Sequence, residues 1–318
     1  MKRMLLSLPP AFWGLIAVCV FAAFTQPQFL SLPFLMILLR QAAPLGIVAL
    51  GQTFVVANRS LDLSVGATIA FVNLIVSHAM WNGYTPVVPI AAALSAGLVI
   101  GLVNGVLVTV LRASAVVVTL GTAAIITGIG FLYTGGAPGS SMADLIKWLG
   151  RGRIGVVPVS GLIWLGFAIV AYLLMRRLTI GRYIFAAGDN PSAATYSGIP
   201  VNRTLLVSHV LSGLFAASGG LLLSGLVGVG SLNLGADYVL SSIAAVILGF
   251  NEALTASFLG GQYVLITQFL LIIAIILVRP RGIAGILGAI TSTGLAQPFS
   301  WRGSSSRSAA AWKLASSR

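Results

Sequence analysis

Long apolar runs almost free of charge leave this chain one class of fold. A stretch of about 18 or more such residues suits a transmembrane helix, because a hydrocarbon core of about 30 Å takes about 20 residues at about 1.5 Å each. Runs of this kind fall near residues 10–24, 41–57, 63–80, 87–110, 115–133, 156–175, 204–226, 238–250 and 254–278, and 29–40 reads as a short interfacial helix. The expected fold is therefore an all-α integral membrane protein, a polytopic helical bundle of about eight or nine membrane segments. The 238–250 run, at about 13 residues, is short for a span and reads as a broken or re-entrant half-helix buried within protein.

Composition agrees. Hydrophobic residues make up 58% of the 318 and charged residues 7%, against about 45–50% and about 25% in an ordinary soluble domain. Such a chain cannot cover a water-facing surface. Its net charge of +13 does not indicate nucleic-acid binding, since the basic residues lie in short loops and at the ends instead of interleaving with aromatics on one face. Positive-inside topology accounts for them better.

The basic start (Lys2, Arg3) precedes an apolar stretch without a small-x-small cleavage site, which reads as a retained first helix. Cys19, the sole cysteine, sits inside that stretch as a small hydrophobe. With the amino terminus in the cytoplasm, Asn58–Asp62, Arg112 and the 176–203 loop fall on or near the cytoplasmic side. The 134–155 loop then falls outside despite Lys147, Arg151 and Arg153. Two full passes at 238–250 and 254–278 would strand Arg279, Arg281, Arg302, Arg307, Lys313 and Arg318 outside, so either 238–250 is re-entrant or one pass is missing. The membrane domain is expected over 1–298, with 299–318 a disordered basic tail rich in Ser and Ala.

Three stretches stand out. Gly97, Gly101 and Gly105 continue a row from Ala93 on one helix face, where backbones can approach closely; intramolecular packing is the expected use and a dimer contact the alternative. Asn58-Arg59-Ser60-Leu61-Asp62-Leu63-Ser64-Val65-Gly66 interrupts apolar surroundings with charge. A charge at mid-membrane costs about 2.5–3.5 kcal/mol, so compensation is expected. Arg59 and Asp62 are spaced to pair, and Asp62 either caps a helix starting inside the membrane, lines a solute path, or does both.

In the 176–203 loop, Asn190 reads as a helix cap, Pro191 as the first helical residue and Gly198 as the terminator of a helix of about seven residues. That element is either a docking site for a soluble partner or a plain connector. No Gly-Lys-Ser/Thr phosphate loop occurs, and His78 and His209 lack companions at ligand spacing. The chain is accordingly expected to have no catalytic residues, no metal and no cofactor.

Several of these residues resemble a known family. Leu61-Asp62-Leu63-Ser64-Val65-Gly66 is similar to the Asp-Leu-Ser-Val-Gly signature of bacterial ABC importer permeases of the ribose, xylose and autoinducer type. Arg40-Gln41-Ala42-Ala43-Pro44, Val118-Thr119-Leu120-Gly121-Thr122 and Tyr133-Thr134-Gly135-Gly136 also resemble that family. The strongest likeness is Gly181-Arg182-Tyr183-Ile184-Phe185-Ala186-Ala187-Gly188-Asp189-Asn190-Pro191, continuing through Ala193-Ala194 and Ser197-Gly198-Ile199. From Asn251 through Gly282 the chain instead resembles related branched-chain amino acid permeases, and about twenty residues near 249–251 are missing relative to either. Arg59-Ser60 stands where sugar-type relatives carry small residues.

The resemblance implies an inner-membrane, multi-pass permease subunit that imports a sugar or sugar-like solute. It also implies cytoplasmic ATP-binding subunits, a second permease subunit and an extracytoplasmic binding protein, with ATP hydrolysis outside this chain. It places ATPase coupling on Gly188, Asp189, Asn190, Pro191, Ala193, Ala194 and Gly198, and the path-side break on Arg59, Asp62, Ser64 and Gly66. An amino acid permease, an ion-driven carrier in which 58–66 faces 235–244 as a weak inverted pair, and an inactive copy lacking one pass are the alternatives.

Overall fold

A computed structural model describes residues 31–78, 83–139 and 141–258, with side chains described to residue 247. All of these fall within one unit, residues 1–265. The expected first helix at 10–24, Cys19, all of the expected 254–278 pass beyond residue 258 and the 299–318 tail lie outside the described residues.

Helix α1 spans Leu32–Ala57 without a break. The expected division into an interfacial 29–40 helix and a 41–57 span is therefore corrected: nothing around Arg40 or Gln41 stops a helix, and Pro44 sits inside it. Proline cannot donate to the carbonyl four residues back. The carbonyl so freed, that of Arg40, accepts from the Ser160 hydroxyl at 3.5 Å, a repair that a neighbouring helix can supply inside a membrane.

Helix α2, Val65–Ser77, has 13 residues and is buried along nearly its whole length. At about 20 Å it is too short to span a bilayer, and it is shorter than the expected 63–80. Helices α3 (Val87–Val110) and α4 (Ala115–Thr134) follow close to their expected bounds. The 134–155 loop then contains an unexpected helix, α5, at Asp144–Arg151, followed by a small antiparallel hairpin of β1 (Arg153–Ile154) and β2 (Val157–Pro158).

Helix α6 covers Val159–Arg176. The next loop carries two helices, α7 (Thr179–Asp189) and α8 (Pro191–Tyr196). Helices α9 (Val201–Val227) and α10 (Ala236–Phe258) complete the described chain. Helix α10 runs through Phe250-Asn251-Glu252 without interruption, which corrects the reading of 238–250 as a half-helix. Its 23 residues reach about 34 Å, of which the described apolar part is Ala236–Ile247. Among the described residues α1, α3, α4, α6 and α9 are long and apolar enough to cross a bilayer.

Helix α9 is the hub and packs on α1, α2, α3 and α5. Its approach to α3 depends on the expected glycine row: Gly97 faces Gly213 and Ala217, Gly101 faces the His209 carbonyl, and Gly105 faces Leu206. A methyl at Gly101 would strike backbone, so the row serves packing within the chain. Helix α5 closes the other end of the hub. Arg151 donates to the carbonyls of Leu226 and Val227 at 2.7 and 2.6 Å, satisfying the last turn of α9 with a cation where the helix dipole favours one.

Candidate functional site

The break between α1 and α2 begins with a left-handed turn. Arg59 has φ +54°, and the amides of Asn58, Arg59 and Ser60 bond back to the carbonyls of Val55 and Val56. This reversal sends Arg59 outward and Asp62 inward. Arg59 and Asp62 consequently do not pair, contrary to the sequence expectation. The Arg59 guanidinium donates instead to the backbone carbonyl of Asp189 at 2.6 Å.

Asp62 is buried, with 1% of its surface exposed. One carboxylate oxygen accepts from the Ser64 amide (3.0 Å) and hydroxyl (2.6 Å), and the other from the Ser212 hydroxyl (2.8 Å). Hydrogen bonds to a charged group contribute about 1.5–3 kcal/mol each, so three of them offset a burial cost of about 2.5–3.5 kcal/mol. The expected capping role takes the form of this turn, in which Asp62 holds the Ser64 amide just before α2 begins.

The network reaches four surrounding helices. Gln52 of α1 donates to the Asp62 carbonyl, Asn104 of α3 to the Ser64 hydroxyl at 2.8 Å, and the Leu63 amide to Thr119 of α4 at 3.1 Å. From α9, besides Ser212, Ser208 accepts from Asn58 and His209 shares a hydrogen bond with Ser60. Gln52, Asn104, Thr119, Ser208, His209 and Ser212 went unremarked as partners of the break. The available signal was their polarity inside apolar spans, where such residues turn towards the bundle interior.

On its other face the break borders open space. A cavity of about 210 Å³ lies between α2, α4 and the start of α10, lined by Gly66, Ala67, Thr127, Asn233 and Val239 among others. Gly66 fits closely there, since a methyl would meet Val239 and the Gly235 carbonyl. The far half of α2 is tied to the end of α9 and the turn after it: Asn73 donates to Ser224 and the Val229 carbonyl and accepts from the Ser231 amide at 2.6 Å. Of the four residues expected beside a path, Gly66 lines this cavity, Asp62 and Ser64 anchor the break behind it, and Arg59 points to the surface loop.

That loop is built as its sequence indicates. The Asn190 side chain accepts from the Ala193 amide at 3.0 Å, Pro191 opens α8, and Gly198 closes it with φ +78°. Ala194 is buried, whereas Asp189, Asn190, Pro191 and Ala193 are exposed. Tyr196, which the sequence reading passed over, is 93% exposed. Gly188 is buried so tightly that a methyl would strike the Ala57 carbonyl. Through Gly188 and Asp189 the end of α7, just before α8, therefore rests on the end of α1 and on Arg59 at the start of the break.

Residues 34–290 match the family described as "Branched-chain amino acid transport system / permease component". The chain belongs to this permease family. It is 33% identical over 247 residues to the ribose import permease protein RbsC of Escherichia coli K12, covering 74% of this chain and 76% of that protein. It is 33% identical over 261 residues to the autoinducer 2 import system permease protein LsrC of Enterobacter sp. strain 638 (82% and 74%). With the galactose/methyl galactoside import permease protein MglC of Salmonella typhimurium LT2 it shares 34% over 269 residues (78% of each). No solved structure matches the chain significantly. Family membership and the apolar helices make this permease a multi-pass inner-membrane protein. Among its described residues no cluster of His, Cys, Asp or Glu could hold a metal.

Proposed function

We propose that this permease imports a sugar or sugar-like solute as the membrane subunit of an ATP-driven importer. The hydrolysing subunits are separate cytoplasmic proteins, the solute arrives on an extracytoplasmic binding protein, and a second permease subunit completes the path. The names of the relatives support the solute class. The observation that carries the coupling reading is the contact of the α7–α8 junction with the break, through Gly188 against Ala57 and Arg59 on Asp189.

In this reading α8 docks on the ATP-binding subunit by its exposed face, Asn190, Pro191, Ala193 and Tyr196. Ala194 seats the helix, Asn190 and Gly198 fix its two ends, and Gly188 with Asp189 passes its movement to Ala57–Asp62. The break then shifts against α10, changing the cavity beside Gly66. The contact of Gly66 with Gly235 and Val239 would also suit an ion-driven carrier, but a carrier needs no docking helix.

Purifying the tagged chain from its native membrane in mild detergent tests this. An ATP-binding subunit should accompany the intact chain and be lost when residues 189–198 are deleted. Recovery of no ATPase with either form would overturn the importer reading.

A further inference from the structure

A second cavity, of about 270 Å³, opens between α1, α6 and α7, away from the break. Leu50, Phe54, Ala168, Ala171, Met175 and Phe185 make its walls apolar, and Thr53, Tyr172 and Arg176, which carry polar groups, also line it. The Thr53 hydroxyl is taken by the Ala49 carbonyl of its own helix at 2.9 Å. That leaves a phenol and a guanidinium, four residues apart and so on one face of α6.

Leu165, Ile169 and Tyr172 on that face are each more than half exposed, which in a membrane helix means lipid contact. The face ends on Arg176 in the last turn of α6, with exposed Arg177 and Arg182 beyond it. Asp189 is the one acid between residues 176 and 203. An apolar slot on an exposed apolar face, with Tyr172 and Arg176 in its lining and further arginines beyond, has the chemistry of an acyl chain below an anionic headgroup.

We propose that this cavity binds one anionic phospholipid, with an acyl chain between α1, α6 and α7 and the headgroup phosphate on Arg176. Arginine suits that place because its planar fork bonds phosphate in pairs. A neutral solute would leave the arginine cluster unused.

The full chain, purified and delipidated in mild detergent, would be incubated with mixed vesicles of equal phosphatidylglycerol and phosphatidylcholine, and retained lipid read by native mass spectrometry. Wild type should hold phosphatidylglycerol in preference to phosphatidylcholine. Arg176→Gln should lower that preference about fivefold, the effect of one basic residue at a membrane surface. Ala168→Phe, which fills the slot and changes no charge, should lower retention of both lipids, and Tyr172→Ala serves as a surface variant should the larger side chain impair folding. Arg203→Gln, on α9 and not lining the cavity, should leave the preference intact. Equal retention by wild type, Arg176→Gln and Tyr172→Ala would overturn the site, as would an Arg203→Gln effect as large as that of Arg176→Gln. The readout involves neither ATP nor solute, so its failure would leave the importer reading standing.

Discussion

The membrane break and the surface helix are both short interruptions stabilised by one capping side chain, yet they are held in opposite ways. Around Asp62 the local Ser64 bonds are joined by partners of the break from 10 to 150 residues away, on α1, α3, α4 and α9. Around Asn190 they come from within a few residues, as the Ala193 amide on its side chain and the Ala194 amide on its carbonyl. Burial accounts for the contrast. Inside the bundle no water can satisfy a polar group, so a charged residue must recruit neighbouring helices. At the surface local geometry suffices, and the exposed face stays free for a partner.

Breaking the buried network should produce the largest effect. Asp62→Ala would leave the Ser64 amide and two hydroxyls without their acceptor, at about 1–3 kcal/mol for each group left unsatisfied. A fall in stability of about 3 kcal/mol or more is expected, read as a strongly lowered melting temperature in detergent and poor yield. An unchanged melting temperature would mean that the network does not hold the break.

Overpacking the hub comes next. Gly101→Val would force α3 from the His209 carbonyl, costing about 1–3 kcal/mol, and thermal melting should fall by less than in Asp62→Ala. On the surface, Asn190→Ala should cost about 1 kcal/mol within α8 alone, leaving global melting nearly unchanged while the ATP-binding subunit is lost on purification. A variant that lowered both equally would mean that α8 is not held independently of the buried network. Asp144→Asn removes the exposed ion pair with Lys147 at 3.3 Å, and no measurable change in melting is expected.

The same contrast explains what could be read from sequence. Asn190, Pro191 and Gly198 were legible because their partners lie within a turn or two. The apolar runs placed α3, α4, α6 and α9 within a few residues, since hydropathy is itself a local signal. The union of 29–40 with 41–57 was not legible: a helix that continues through Pro44 needs the freed Arg40 carbonyl to find another donor, and Ser160, which supplies it, lies 120 residues away. Helix α5 was hidden by its length of eight residues, and only its fit against Gly225 and the end of α9 reveals why it forms. Arg59 and Asp62 had the right spacing to pair, but a left-handed backbone at Arg59 turned them apart.

In the proposed coupling, the surface helix and the membrane break move as one unit through Arg59 and Gly188. Solute imported per ATP hydrolysed, measured for Arg59→Ala in proteoliposomes containing the complete importer, tests it most directly. The ATP-binding subunit should stay bound and hydrolysis continue while import per ATP falls about tenfold or more, equivalent to about 1.4 kcal/mol of lost coupling. Import per ATP equal to wild type would contradict it.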